Sequence, residues 1–132
     1  MNNFTYSVPT KIHFGKGQIS HLYELSESGN KVLLCYGGGS IKKAGIYDEA
    51  VKILKEEDIE IFELSGIAPN PKIESVREGV KLCKENDIDM VLAIGGGSVI
   101  DCAKVVAAGA CYDGDPWDLV ITPRWIKKAL PI

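Results

Sequence analysis

The sequence predicts an α/β fold in which a parallel, Rossmann-like sheet carries helices on both faces. Short apolar runs typical of buried strands alternate with segments whose apolar residues recur at helical spacing. Two of these runs end directly in Gly-Gly-Gly-Ser. The length of 132 residues is that of one ordinary domain. We therefore interpret residues 1–132 as a single domain.

The N-terminal residues predict a β-hairpin in front of this sheet. Apolar and polar residues alternate over residues 4–8 and again over residues 12–14, on either side of Pro9-Thr10. A helix is expected to follow from Lys16-Gly17 and to stop near Gly29.

The remaining pattern predicts three strands and three helices in strict alternation. The predicted elements, strand and helix in turn, are Lys31–Tyr36, Gly45–Glu57, Glu60–Leu64, Ile73–Asn86, Asp89–Ile94 and Ser98–Ala110. Such alternation implies right-handed crossovers and a parallel sheet.

Two glycine-rich segments follow the first and third of these strands. The first glycine loop is residues 37–40, and the second glycine loop is residues 95–98. Open α/β folds bind ligands at the carboxyl ends of their strands. The amides at the start of a following helix attract anions, and the anion that best suits such a loop is a nucleotide phosphate.

Ser98 and Asp101 allow two compatible interpretations. The spacing Ser-x-x-Asp before a helix resembles a capping box, in which each side chain satisfies a free backbone amide. Alternatively, Ser98 donates to a phosphate oxygen and Asp101 reaches a hydroxyl of the ligand's ribose.

Prolines mark two further turns. Pro69-Asn70-Pro71 predicts a rigid extended turn, which either separates two elements or presents Asn70 as a wall of the ligand site. Asp115 is expected to cap a short helix with Pro116 at its first position. Residues 129–132 resemble the opening of another buried strand, so we expect that the chain is a fragment or that its sheet is completed by more sequence.

Composition excludes several partners and compartments. The net charge is −3 without a basic stripe, which argues against nucleic acid and anionic membranes. The N-terminus lacks a signal-peptide pattern, and no apolar run is long enough to span a bilayer. A cytoplasmic protein with reduced, buried thiols is expected. These thiols belong to Cys35, Cys83, Cys102 and Cys111.

Four segments together carry a family resemblance that extends over essentially the whole chain. They are Tyr36–Lys43, Pro69–Pro71, Ile94–Ser98 with Asp101, and Gly114–Asp118. In this order they resemble the N-terminal, cofactor-binding part of the iron-containing (group III) alcohol dehydrogenases, and most of all the bacterial butanol dehydrogenase branch.

The resemblance implies hydride transfer between a primary alcohol or aldehyde and NAD(P). It implies nine cofactor-binding residues: Gly37, Gly38, Ser40, Asn70, Gly95, Gly96, Gly97, Ser98 and Asp101. Gly96, Gly97 and Ser98 would hold the pyrophosphate, and Asp101 the nicotinamide-side ribose. Gly38, Ser40 and Asn70 would line the adenosine end.

The same resemblance places the family's iron or zinc outside these residues. The family binds its metal through one Asp and three His in a helical C-terminal domain, which is absent from this sequence. His13 and His21 match none of those ligands and are interpreted as ordinary surface or hairpin residues. No catalytic residue is expected here, so the chain alone should be inactive, and the full-length protein is expected to form a homodimer.

Two alternatives stay open. One is a non-catalytic nucleotide-binding or assembly module, and the other is an enzyme of the glycerol dehydrogenase or dehydroquinate synthase type. The cofactor also stays open between NAD and NADP. The first glycine loop carries no carboxylate that would repel a 2′-phosphate, and Lys42 or Lys43 could neutralise one.

Overall fold

Three parallel strands form the centre of the molecule. The structure, a computed structural model, describes residues 2–132. The strands are β1 (Lys31–Tyr36), β2 (Glu60–Leu64) and β3 (Met90–Ile94), in the order β2-β1-β3. β1 is central and pairs in parallel with both neighbours. The predicted parallel α/β sheet is confirmed.

Helices connect these strands as the hydrophobic periodicity predicts. The α-helices are α1 (Ser40–Lys43), α2 (Ile46–Glu56), α3 (Ile73–Asn86), α4 (Gly97–Gly109) and α5 (Pro116–Ile121). Two 3-10 helices, Gln18–Glu27 and Pro123–Trp125, precede β1 and follow α5. The boundaries of α2, α3 and α4 agree with the predicted ones to within one residue.

Each face of the sheet buries its own set of side chains, because alternate strand residues point to opposite sides. Leu33 and Cys35 face one side and belong to a core that includes residues of α3 and α4. Val32 and Leu34 face the other side, where Leu54 of α2 and Ile41 of α1 cover them. Both faces of the sheet are therefore covered by helices.

The chain leaves the carboxyl ends of β1 and β3 towards opposite faces of the sheet. After β1 it continues into α1 and α2 on one face, and after β3 into α4 on the other. Neighbouring parallel strands whose connections diverge in this way leave a crevice between their carboxyl ends. Both glycine loops lie at this crevice.

The predicted N-terminal hairpin is wrong. Within residues 2–132 no strand precedes β1, and the apolar side chains of the N-terminal segment, residues 2–14, are exposed. Tyr6 is 81% exposed and Phe14 is 96% exposed. Two short strands bury too little apolar surface to be stable without further packing. The helix predicted before Gly29 does form, but as the 3-10 helix Gln18–Glu27.

The C-terminal residues follow the prediction more closely. Asp115 caps α5 by accepting a hydrogen bond from the Trp117 N–H at 3.0 Å, and Pro116 is the first helical residue. Beyond α5 the chain returns to the free edge of β3, where the Val91 N–H donates to the Pro131 carbonyl at 2.9 Å.

The expectation of buried cysteines is confirmed for three of the four. Three of them, Cys35, Cys83 and Cys102, are buried, and Cys111 is partly exposed. Burial raises the pKa of the Cys35 and Cys83 thiols to about 12, so both stay protonated. None of the described helices is long and apolar enough to cross a bilayer.

Candidate functional site

A cleft of about 280 Å³ lies between the carboxyl ends of β1 and β3. Both glycine loops line it, together with residues that come after β2. Its lining residues are Gly37, Gly38, Ser40, Ile41, Ile67, Pro69, Ile94, Gly95, Gly96, Gly97, Ser98 and Val99. Seven of the nine predicted cofactor-binding residues are therefore brought together in one cleft.

Four glycines of the two loops have no structural reason to be glycine. A Cβ atom added to Gly38, Gly39, Gly96 or Gly97 would meet nothing within 4 Å. None of the four has a φ angle in the left-handed region. Neither packing nor backbone conformation therefore excludes a side chain at these positions. Three of them, Gly38, Gly96 and Gly97, line the cleft, and Gly39 does not.

The leading glycine of each loop is different, because the fold itself requires it. A Cβ at Gly95 would lie 2.7 Å from Val99 Cγ2, and the φ of Gly95 is +156°. A Cβ at Gly37 would lie 3.1 Å from the Ile67 carbonyl oxygen. These two residues let the chain turn out of the strand, whereas Gly38, Gly96 and Gly97 have open Cβ positions and line the cleft.

The N-terminus of α4 opens at this cleft without a side-chain cap. Its N-cap residue is Gly96, with φ −81° and ψ −171°. Among the described residues, the N–H groups of Gly97 and Ser98 donate to no other backbone group. These amides and the positive end of the helix dipole form an anion-binding position.

The predicted capping box at Ser98 and Asp101 is wrong. Because Gly96 is the N-cap, Ser98 is the second helical residue and its side chain makes no capping hydrogen bond. Its Oγ accepts instead a long hydrogen bond, 3.4 Å, from the Asn70 N–H. Ser98 therefore links the second glycine loop to the Pro69–Pro71 turn.

That turn departs from the extended conformation that the two prolines predict. Asn70 has φ +55° and lies in the left-handed region. Asn is one of the residues that adopt this conformation most readily. Pro69 lines the cleft, and the Asn70 backbone contacts Ser98 beside it. The turn is thus a wall of the cleft and also the connection between β2 and α3.

Lys42 and two tyrosines lie beside the first glycine loop. The Lys42 Nζ lies 4.7 Å from the ring centroid of Tyr47 and 5.5 Å from that of Tyr36. This cation–π arrangement holds the Lys42 ammonium against the two tyrosine rings, and Lys42 does not line the cleft. Helix α1 has four residues, so its own dipole contributes little there.

Asp101 lies outside the cleft. It is exposed, in the second turn of α4, and it does not line the cleft.

Five lining residues are not among those predicted to bind the cofactor: Ile41, Ile67, Pro69, Ile94 and Val99. Of these, Ile67 and Pro69 could have been found, since they come after the carboxyl end of β2, where ligand sites form.

The structure also brings together two residues that the sequence interpretation kept apart. The rings of His13 and His21 are stacked, with centroids 3.4 Å apart. With Glu24 they form the only group of three His, Cys, Asp or Glu ligand atoms found close together within residues 2–132. The sequence contains two histidines, so it cannot supply the one Asp and three His implied by the family resemblance.

Comparisons with known proteins agree with this geometry. The family described as iron-containing alcohol dehydrogenase matches residues 9–132. NADH-dependent butanol dehydrogenase A of Clostridium acetobutylicum is 57% identical over 133 residues, which is 100% of this chain and 34% of that protein. The NADPH-dependent aldehyde reductase YqhD of Escherichia coli is 44% identical, with the same coverage of both chains.

Solved structures give the same result. The crystal structure of NADH-dependent butanol dehydrogenase A from Thermotoga maritima matches with a TM-score of 0.95 and 51% identity, over 100% of this chain and 34% of that one. The chain thus spans about a third of the length of the relatives it matches. This chain belongs to the iron-containing alcohol dehydrogenase family.

Proposed function

We propose that this chain is the cofactor-binding domain of a longer, metal-dependent alcohol dehydrogenase, which transfers hydride between NAD(P) and a small primary alcohol or aldehyde. The observation that carries the proposal is that three glycines of the cleft wall, Gly38, Gly96 and Gly97, have open Cβ positions. Since the fold does not require glycine there, we infer that the ligand does.

The second glycine loop would hold the pyrophosphate. The free N–H groups of Gly97 and Ser98 can each donate to a phosphate oxygen, and the dipole of the 13-residue helix α4 favours the negative charge. The open side of Gly96 lets the oxygens approach the backbone. The hydroxyl of Ser98 accepts from Asn70, so its own proton is free to point into the cleft.

The first glycine loop and the Pro69–Pro71 turn would enclose the adenosine end. Gly38 leaves room beside the adenosine ribose, Ser40 can donate to it, and Asn70 secures the turn against Ser98. Asp101, one turn further along α4, would reach the nicotinamide-side ribose. Gly37 and Gly95 contribute by shaping the two turns rather than by making room for the cofactor.

The first glycine loop should admit NADP as well as NAD. It contains no carboxylate, and Lys42 adds a positive charge beside it. A 2′-phosphate would therefore meet no repulsion there. The named relatives include both kinds, with an NADH-dependent butanol dehydrogenase at 57% identity and an NADPH-dependent aldehyde reductase at 44%.

The cofactor, when bound, would accept the hydride in alcohol oxidation and supply it in aldehyde reduction, and the residues of this chain would bind and orient it. In the iron-containing alcohol dehydrogenases, a metal acting as a Lewis acid would polarise the alcohol oxygen. The residues present do not fit the family's metal-binding set, so that part of the chemistry belongs to residues outside these 132. We propose no catalytic residue in this chain.

The remaining partners are inferred from the same assignment. The substrate is a small alcohol or aldehyde, and butanol-like primary alcohols are favoured by the relatives' names. We propose a cytoplasmic enzyme, and the net charge of −3 argues against binding to nucleic acid or to anionic membranes. We propose that the full-length protein works as a homodimer.

A fluorescence titration tests the proposal. NADH and NADPH are added separately to the purified chain and to the longer enzyme, and cofactor fluorescence is measured. We expect saturable binding with one cofactor per chain, and alcohol oxidation by the longer enzyme alone. Absence of saturable binding to the longer enzyme would refute the cofactor site. Metal-dependent alcohol oxidation by the 132-residue chain would refute the proposal that this chain binds the cofactor and that other residues bind the metal.

A further inference from the structure

Three side chains of two separate segments converge near the N-terminus. His13 comes from the N-terminal segment, whereas His21 and Glu24 come from the 3-10 helix Gln18–Glu27. The Nδ1 of His21 lies 2.7 Å from Glu24 Oε1, and the Nε2 of His13 lies 3.8 Å from the same oxygen. One potential ligand atom from each residue falls within 4.8 Å of the others.

We propose that His13, His21 and Glu24 form a binding site for a divalent transition-metal ion, with Zn²⁺ as the best-suited ion. Two imidazoles and one carboxylate form a donor set that zinc accepts, with water in the remaining position. Imidazole also suits Cu²⁺ and Ni²⁺, whereas Ca²⁺ and Mg²⁺ prefer all-oxygen sites.

The distances require little rearrangement to bind an ion. Zn–N and Zn–O bonds of about 2.0–2.2 Å place tetrahedral ligand atoms about 3.4 Å from one another. The 2.7 Å and 3.8 Å separations at Glu24 bracket this value. The two imidazole rings are nearly parallel, with 14° between their planes, so one ring must rotate for both lone pairs to point at one ion. That rotation is a side-chain motion at a partly exposed position.

The surroundings supply a partner for the carboxylate and access for the ion. The Lys11 Nζ lies 3.0 Å from Glu24 Oε2, the oxygen that the histidines do not approach. The side chains of His13, His21 and Glu24 are 34%, 40% and 38% exposed, and a groove of about 510 Å³ reaches all three.

Metal binding would change how the N-terminal segment is held. Within residues 2–132, its ion pair to the rest of the chain is that of Lys11 with Glu24, and His13 approaches the same carboxylate. An ion shared by His13 and the 3-10 helix would fasten this segment through coordinate bonds. The partial exposure of the ligands predicts an affinity in the micromolar range, well below that of closed structural zinc sites.

Competition with a coloured zinc indicator measures the affinity directly. The purified, reduced chain is titrated with ZnCl₂, and far-UV circular dichroism confirms that each variant keeps its helices. We expect one Zn²⁺ per chain and a loss of affinity of about tenfold or more in His13→Gln, His21→Gln and Glu24→Gln. The matched control is Glu27→Gln, on the same helix but outside the cluster, which should change the affinity less than twofold.

His13→Gln decides between the proposed site and simpler alternatives. This variant leaves the pair of His21 and Glu24 intact, so unchanged affinity in it would overturn the proposal. Absence of binding at 1 mM ZnCl₂ would overturn it as well. Co²⁺ substitution checks the donor atoms: d–d bands without thiolate charge-transfer absorption support nitrogen and oxygen ligands, and thiolate bands would assign the ion to the cysteines instead.

Discussion

The two glycine loops share a sequence but lead into helices of very different length. In each loop the first glycine is fixed by packing, and the next two have open space at their Cβ positions. The second loop leads directly into the 13-residue helix α4, whereas the first leads into the four-residue helix α1. The second loop therefore offers free amides with a helix dipole, and the first offers room and a nearby lysine.

This difference assigns different parts of a dinucleotide to the two loops. A pyrophosphate carries the most charge and suits the amides of α4. An adenosine ribose needs space and a few polar contacts, which the first loop and Ser40 provide. Substitutions at glycines that the fold requires should therefore change stability, and substitutions at glycines open to the cleft should change cofactor binding.

The largest expected effect is on stability, at a glycine that the fold requires. Gly95→Val introduces a side chain that collides with Val99 and strains a backbone at φ +156°. We expect a loss of about 3 kcal/mol in the free energy of unfolding and a fall in Tm of roughly 10 °C. Thermal denaturation monitored by circular dichroism measures it. An unchanged Tm would show that the fold tolerates a side chain at position 95, which would contradict this assignment.

The matched substitution in the same loop should weaken cofactor binding and leave the stability of the fold nearly unchanged. Gly97→Val places its side chain in open space, so Tm should change by no more than about 2 °C. The same side chain occupies the proposed pyrophosphate position. We expect cofactor affinity to fall on the order of tenfold to a hundredfold, from an overpacking cost of about 1–3 kcal/mol. Unchanged affinity by cofactor titration in this folded variant would contradict the assignment.

A charge in the first loop tests the proposed position of the adenosine ribose. Gly38→Asp places a carboxylate near the 2′ position, which should repel a 2′-phosphate. We expect catalytic efficiency of the longer enzyme with NADP to fall by about tenfold or more, about 1.4 kcal/mol, with a smaller effect on NAD. Gly38→Ala is the uncharged control. If NADP use survives the charge, Gly38 does not face the 2′ position.

The smallest effect concerns a helix start that already has its cap. Asp115 caps α5 and forms an ion pair with Arg77 at 3.0 Å. The start of α4, in contrast, has no side-chain cap. The Arg77 hydrogen bond lowers the pKa of Asp115 below its ordinary 3.8, so its stabilisation is present above pH 3.8 and is lost as pH falls through the lowered pKa. Asp115→Ala should lower Tm by roughly 2–4 °C at pH 7 and less at pH 2, without changing cofactor affinity.

Much of the fold could be predicted from the sequence because buried strands and amphipathic helices have distinct periods. The boundaries of β1, β2 and α3 agree with the predicted ones. The N-terminal segment shows the limit of this reasoning. Its alternating pattern is typical of strands. A strand forms only where a second strand is available to pair with it, and within residues 2–132 no strand pairs with this segment.

The site was predictable in position but not in local detail. Gly-Gly-Gly-Ser after two strands locates the cleft, whereas the register of the helix start is decided by tertiary contacts. Gly96 is the N-cap, which removes the capping role of Ser98 and leaves its hydroxyl to Asn70. The stacking of His13 on His21 depends on how the N-terminal segment packs, which no local pattern encodes.

Gly96→Asp tests most directly whether the cofactor, and not the fold, requires glycine at a position with open space. Gly96 is an N-cap in a conformation that any residue adopts, so an Asp there should cap α4 and raise Tm by about 1–3 °C. Its carboxylate would occupy the free amides and repel a pyrophosphate. Cofactor titration and thermal denaturation of this variant, with Gly96→Ala as the uncharged control, should therefore show higher stability together with loss of binding. Lower stability, or cofactor binding that persists unchanged, would contradict a ligand-serving role for Gly96.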